Sequence, residues 1–217
     1  MSFEIIRNTE NTVFDGCDFV VQLPEERLGQ SVRVLQLTDM QIIDSAQRRT
    51  PDRIRADEIA SWAPENFDGL CGDHIRSLVT QTCPDLIILT GDIVYGSFDD
   101  SGSTLRWFCG LMDSFEIPWA PVFGNHDNES KMGADWQCDQ LEKSEYCLFL
   151  QRNLTGNGNY TVGIEQGGKL TRKEGGICVY NVAEQKLCSH TKYLGRLNYV
   201  VNHLYRTSLN YYHSNKL

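Results

Sequence analysis

Three runs of apolar positions mark the chain up to residue 123: "SVRVLQLT" (31–38), "PDLIILT" (84–90) and "IPWAPVF" (117–123). The first is apolar with β-branched residues and the second is a short continuous run behind Pro84; both read as buried strands. The third is a weaker strand, because Pro118 and Pro121 interrupt it. Between these runs the spacing turns helical. "FDGLCGDHIRSLVTQTC" (67–83) places Leu70, Ile75, Leu78 and Val79 at nearly helical intervals, and "STLRWFCGLMDSF" (103–115) does the same with Leu105, Phe108, Leu111 and Met112. Strand–helix–strand alternation predicts an α/β unit whose sheet is at least partly parallel. Farther on, "LTGNGNYTVGIEQGG" (154–168) reads as a loop, an alternating strand and a Gly-Gly turn.

Each of the three runs ends in polar residues. Thr38-Asp39-Met40-Gln41 follows the first, Thr90-Gly91-Asp92 the second, and Gly124-Asn125-His126-Asp127 the third. Ligands of open α/β sheets bind beyond the carboxyl ends of the strands, so these groups converge on one site. A single Asp after a strand is usually a turn or helix cap; Asp, Asp and Asn-His at three strand ends are harder to explain that way. Carboxylate, amide and imidazole without thiolate suit Mn²⁺, Fe or Zn²⁺, or Mg²⁺ where oxygen predominates. The two oxygens of Asp92 can bridge a metal pair, which would activate water and polarise a phosphoryl oxygen. His126, unmetallated, can stabilise charge or give a proton to a leaving alkoxide. Gly91 and Gly124 let the backbone turn sharply into the crevice.

Composition narrows the setting. The chain has 217 residues, enough for one domain, and 41% hydrophobic with 23% charged residues is ordinary for a soluble protein. No apolar run approaches the ~20 residues of a membrane span, and no membrane partner is expected. The N-terminal stretch lacks the positive flank and apolar core of a signal peptide, so a cytoplasmic location is expected. The eight cysteines contain no CxxC pair, which favours reduced, mostly buried thiols over a disulfide framework or a thiolate zinc site. A net charge of −9 argues against a nucleic-acid-binding surface. It leaves a phosphate substrate open, since a metal can supply the local positive charge.

Charge is uneven along the chain. All 29 acidic residues lie at or before Glu184, while the tail at 185–217 carries five basic residues with His190, His203 and His213. Two readings stand: a basic, Tyr-rich segment packed on the domain, or a tail that is not the natural continuation of the fold.

"GDIVYG" and "GNHD", preceded by an Asp at the end of the first strand, resemble the calcineurin-like metallophosphoesterase superfamily over roughly residues 30 to 165. The resemblance implies a layered α/β/β/α sandwich, incomplete at its C-terminus, in residues 1–184. It implies two divalent metals, with Asp39 and Gln41 as ligands of the first, Asp92 bridging, and Asn125 on the second. His126 is then the general acid or transition-state stabiliser, held by Asp127 or another carboxylate. The activity implied is hydrolysis of a phosphate mono- or diester by a metal-bound hydroxide.

Two departures from the family pattern matter. Gln41 stands where the family has a His, a weaker donor for Zn²⁺ or Fe, which favours Mn²⁺ or Mg²⁺. No Gly-His-x-His follows, although members of the family carry one. The rival reading is therefore a truncated or inactive homologue acting as a metal-binding or regulatory module. Tyr95, three residues after Asp92, occupies the position of the iron-bound tyrosinate of purple acid phosphatases; a buried structural tyrosine is the expectation. His74 reads as a surface or interhelical residue. Arg48, Arg49, Arg53 and Arg55 read as a solvated segment, with phosphate binding as the alternative.

Overall fold

The computed structural model describes residues 3–7, 17–45, 47, 55–56, 67–96, 101–151, 157–170 and 177–179, all within the compact unit Met1–Ala183. The tail at 185–217, with its histidines, lies outside the described residues, as do Arg48, Arg49 and Arg53.

Two sheets and three α-helices make up the described fold, an α/β arrangement. One sheet holds β3 (Val34–Leu37), β4 (Leu86–Leu89) and β5 (Trp119–Pro121), all parallel and in that order. Helices α1 (Phe67–Thr82) and α2 (Ser103–Asp113) make the crossovers that parallel neighbours require. The other sheet runs β1 (Glu4–Arg7), β2 (Phe19–Gln22), β6 (Tyr160–Gln166) and β7 (Lys169–Leu170), with β8 (Ile177–Val179) also paired to β6. Only its β2–β6 pairing is parallel. The expected 154–168 strand is thus β6, and Gly167 and Gly168, with φ of 61° and 72°, make its hairpin turn into β7. The third helix, α3 (Ala134–Lys143), has no counterpart among the sequence-based expectations.

β4 is buried at every position, which requires cover on both faces. One continuous core provides it. Ile75 and Val79 of α1 and Leu105, Phe108 and Met112 of α2 join Phe19, Val21, Tyr160, Val162 and Ile164 of the other sheet. Aromatic edges link the sheets: Tyr160 meets Phe19 and Phe149, and Phe149 meets Phe123 just past β5. The Tyr160 hydroxyl donates to the Pro121 carbonyl at 2.6 Å. That proline lacks an N–H, yet its carbonyl remains available to bind the facing sheet. Of the apolar residues expected to face inward from α1, Leu70 and Leu78 are exposed.

At the amino end of the parallel sheet, Arg27 holds Asp85 in a buried two-pronged ion pair, 2.8 Å from Nε and 2.7 Å from Nη2. The Arg33 N–H donates to the same carboxylate at 2.7 Å. This fixes where β4 starts, and with it where β4 ends.

Candidate metal centre

The register of the parallel sheet decides which side chains meet. Leu37 pairs with Leu89 and Leu89 with Pro121, so the three strands finish level and release their chains side by side. The first two loops stay paired beyond the strands. Asp39 N–H donates to Gly91 O (3.1 Å), Gln41 N–H to Asp92 O (2.9 Å), and Ile42 N–H to Ile93 O (3.0 Å). Asp39, Gln41 and Asp92 therefore lie on adjacent, hydrogen-bonded backbone.

That backbone is strained. Five non-glycine residues among those described have positive φ, and three of them are Asp39 (52°), Gln41 (43°) and Asp92 (53°). Left-handed backbone costs on the order of 1–3 kcal/mol at a non-glycine residue and persists where surrounding structure enforces it, often at functional sites. Sequence showed the polar residue types here; their shared conformation carries the stronger indication.

The third loop is locked onto the second. A Cβ on Gly124 would collide with the Asp92 carboxylate and come within 2.5 Å of the Asp92 nitrogen. A Cβ on Gly91 would come within 2.7 Å of the Gly124 nitrogen. Gly91 does turn through positive φ (104°), as expected of a sharp turn. Gly124 does not, and its role is close approach. This corrects the expectation that both glycines serve to turn the chain. One Asp92 oxygen accepts the His126 N–H at 2.9 Å. Asp92 and His126 are buried, whereas Asp39 and Asn125 are exposed and Gln41 is half-buried.

Asp127 does not hold the His126 ring. Its carboxylate accepts four backbone N–H groups: Gly124 at 2.7 Å, Asp92 at 2.8 Å, Ile93 at 2.9 Å and Val94 at 3.1 Å. It is 1% exposed, and that burial raises its pKa against the opposing pull of the N–H donors. The group expected in a catalytic role is a staple between two loops. The imidazole finds its partners elsewhere. His126 Nδ1 lies 3.2 Å from the Tyr95 carbonyl and 3.3 Å from Glu129 Oε2, and the Tyr95 ring tilts against it at 5.2 Å. Tyr95 is half-buried and meets His126 through its carbonyl and ring face. Glu129 escaped sequence reading because its placement depends on a 3₁₀ turn, Asp127–Glu129, which carries it back beside His126.

The donors at the strand ends are hard: two carboxylates, a Gln amide and an Asn amide. That chemistry fits a divalent cation with oxygen preference. Among the described residues no three His, Cys, Asp or Glu side chains form a cluster that could hold a metal, so the amides would have to supplement the carboxylates. Cys71, Cys83, Cys109, Cys138 and Cys147 are free thiols, and Cys17, Cys109, Cys138 and Cys147 are buried. His74 and Arg55 are exposed.

Comparison with known proteins accords with this geometry. A stretch of 102 residues is 41% identical to a probable inactive purple acid phosphatase of Arabidopsis thaliana, covering 41% of this chain and 26% of the relative. Over 86 residues it is 35% identical to Phosphatase DCR2 of Saccharomyces cerevisiae, covering 36% of the chain and 15% of that protein. Over 96 residues it is 29% identical to a probable cyclic nucleotide phosphodiesterase of Xenorhabdus bovienii, covering 44% and 34%. These matches take in about a third or less of each relative's length. No solved structure matches the chain. The family model for calcineurin-like phosphoesterases, whose members generally use divalent metal ions, matches residues 32–213, from the start of β3 through all three strand ends. With Asp39, Gly91-Asp92 and Gly124-Asn125-His126-Asp127 set level on three parallel strands, the chain belongs to the calcineurin-like phosphoesterase family.

Proposed function

We propose that this chain hydrolyses a phosphate mono- or diester at the ends of β3, β4 and β5. The observation that carries the reading is the concentration of left-handed, non-glycine backbone at Asp39, Gln41 and Asp92. Asp39, Gln41, Asp92 and Asn125 would hold the divalent metal, Mn²⁺ or Mg²⁺ in preference, because a Gln carbonyl is a poor substitute for imidazole on Zn²⁺ or Fe. Bound divalent metal supplies Lewis acidity and positive charge to a phosphoryl group. The chain's residues do the rest. Asp92 keeps the third loop in place by accepting the His126 N–H. His126, its ring gripped at Nδ1, gives a proton to the departing ester oxygen. The exposed Asn125 lies beside it in the chain.

The test is Mn²⁺-dependent turnover of an alkyl phosphate monoester and of a dialkyl diester, whose leaving oxygens need a proton, with His126→Ala beside the parent. Turnover that falls by about 10²-fold or more in the variant supports the reading. Equal rates in both would sink it. A second reading, a metal-binding or regulatory module without turnover, draws support from two relatives named probable inactive purple acid phosphatases. Metal titration by calorimetry separates them: two ions per chain for the enzyme, one or none for the module.

A further inference from the structure

Glu129 lies beyond the GNHD motif, and neither the family match nor the names of the relatives assign it a role. Its carboxylate oxygen Oε2 is 3.3 Å from His126 Nδ1, the nitrogen that also faces the Tyr95 carbonyl at 3.2 Å. Asp127, the nearer acid in sequence, spends its carboxylate on backbone N–H groups. The 3₁₀ turn is closed by Glu129 N–H donating to His126 O at 3.0 Å, which fixes the spacing of the pair. Gly96 clears the space they share: a Cβ there would collide with the His126 carbonyl and come within 2.8 Å of Glu129 Cβ.

Resting on the phosphoesterase reading above, we propose that Glu129 is the positioning residue of His126. With the Tyr95 carbonyl it clamps Nδ1, so that the ring cannot flip and Nε2 is the nitrogen presented to the ester oxygen. The site thus assembles a carboxylate–histidine pair from one 3₁₀ turn. Glu129 is 38% exposed in its side chain, so its contribution lies in ring orientation and little in global stability.

The experiment compares Glu129→Ala and Glu129→Gln with the parent on two substrates in the presence of Mn²⁺, an aryl and an alkyl phosphate. A phenolate departs without a proton, whereas an alkoxide needs one. Glu129→Ala is expected to lower kcat on the alkyl ester by about 10-fold or more and on the aryl ester by about 3-fold or less, with KM little changed. Glu129→Gln, which keeps an acceptor oxygen, should recover part of the loss. A uniform loss on both esters, or none, would overturn the assignment. A parent without turnover would instead refute the phosphoesterase reading, and the metal-free protein then decides the role of Glu129. The nuclear Overhauser contacts between the His126 and Tyr95 rings should weaken in Glu129→Ala and persist in Glu129→Gln. Contacts unchanged in both variants would reject the clamp, whatever the turnover.

Discussion

Both ends of the parallel sheet carry aspartates, and the two sets are used in opposite ways. At the amino end, Asp85 takes two Arg27 nitrogens and the Arg33 N–H, while Asp113 takes the Trp119 indole N–H at 2.9 Å and the backbone N–H groups of Glu145 and Tyr146 at 3.0 and 3.2 Å. These carboxylates are occupied by the protein itself. At the carboxyl end Asp39 is exposed and accepts from the adjacent Thr38 hydroxyl, and Asp92 accepts the His126 N–H. Residue type is the same; what differs is how much of each carboxylate the fold has already used. Asp127 belongs with the first set in its bonding, although it sits among the second in space.

The sharpest way to test this division is to remove a structural aspartate. Asp85→Ala leaves the Arg27 guanidinium buried without its partner, and urea denaturation should show a loss of about 3–5 kcal/mol. Metal-dependent turnover per folded molecule should stay near the parent value, because Asp85 sits at the far end of β4 from Asp92. A large drop in turnover with stability intact would break the division.

Asp127→Asn is the next test, and it sits on the boundary. Asparagine keeps one acceptor oxygen but turns an NH₂ group toward N–H donors that now share four bonds' worth of demand. A loss of about 2–3 kcal/mol is expected, with the two loops no longer stapled. Should stability hold while kcat alone collapses, Asp127 would return to the chemical set where its sequence neighbours first put it.

Much of this is legible in the sequence, and the gaps have physical causes. The three parallel strands announce themselves as apolar runs, and the residues at their ends as a convergent polar set. β3, expected to be buried, is instead exposed at Val34 and Gln36 and buried only at Leu37, as an edge strand of the described sheet. The strands are shorter than the runs because pairing passes into the loops as isolated backbone bonds rather than continuous strand. β1 and β2 carry no usable signal. Each is four residues long, and β2 finds its parallel partner in β6, across most of the described chain. α3 is hidden because only Gln137, Cys138 and Leu141 of its ten residues are buried, too few for an apolar stripe. α1 is visible, but Leu70 and Leu78 face outward, since helical spacing says which residues share a face without saying what covers it. At the site, residue type does not reveal which group each acid serves. Asp127 and Glu129 are both acids close to His126; only the 3₁₀ turn decides that the farther one reaches the ring.

The smallest expected effect is the most discriminating. Asp39 has φ of 52° and an exposed side chain. Glycine adopts that backbone without steric cost but gives the unfolded chain more freedom, and the two effects nearly cancel. Asp39→Gly should therefore leave the metal-free protein within about 1 kcal/mol of the parent in urea denaturation. If Mn²⁺ binds the folded state alone it should raise the Tm of the parent, and it should raise that of the variant much less. That pairing, stability kept and cation response lost, is what a carboxylate held in reserve for a ligand must show. A loss of several kcal/mol in the metal-free variant would mean that the fold depends on Asp39 much as it depends on Asp85. The strain at the strand ends would then be a feature of loop packing rather than of a metal centre.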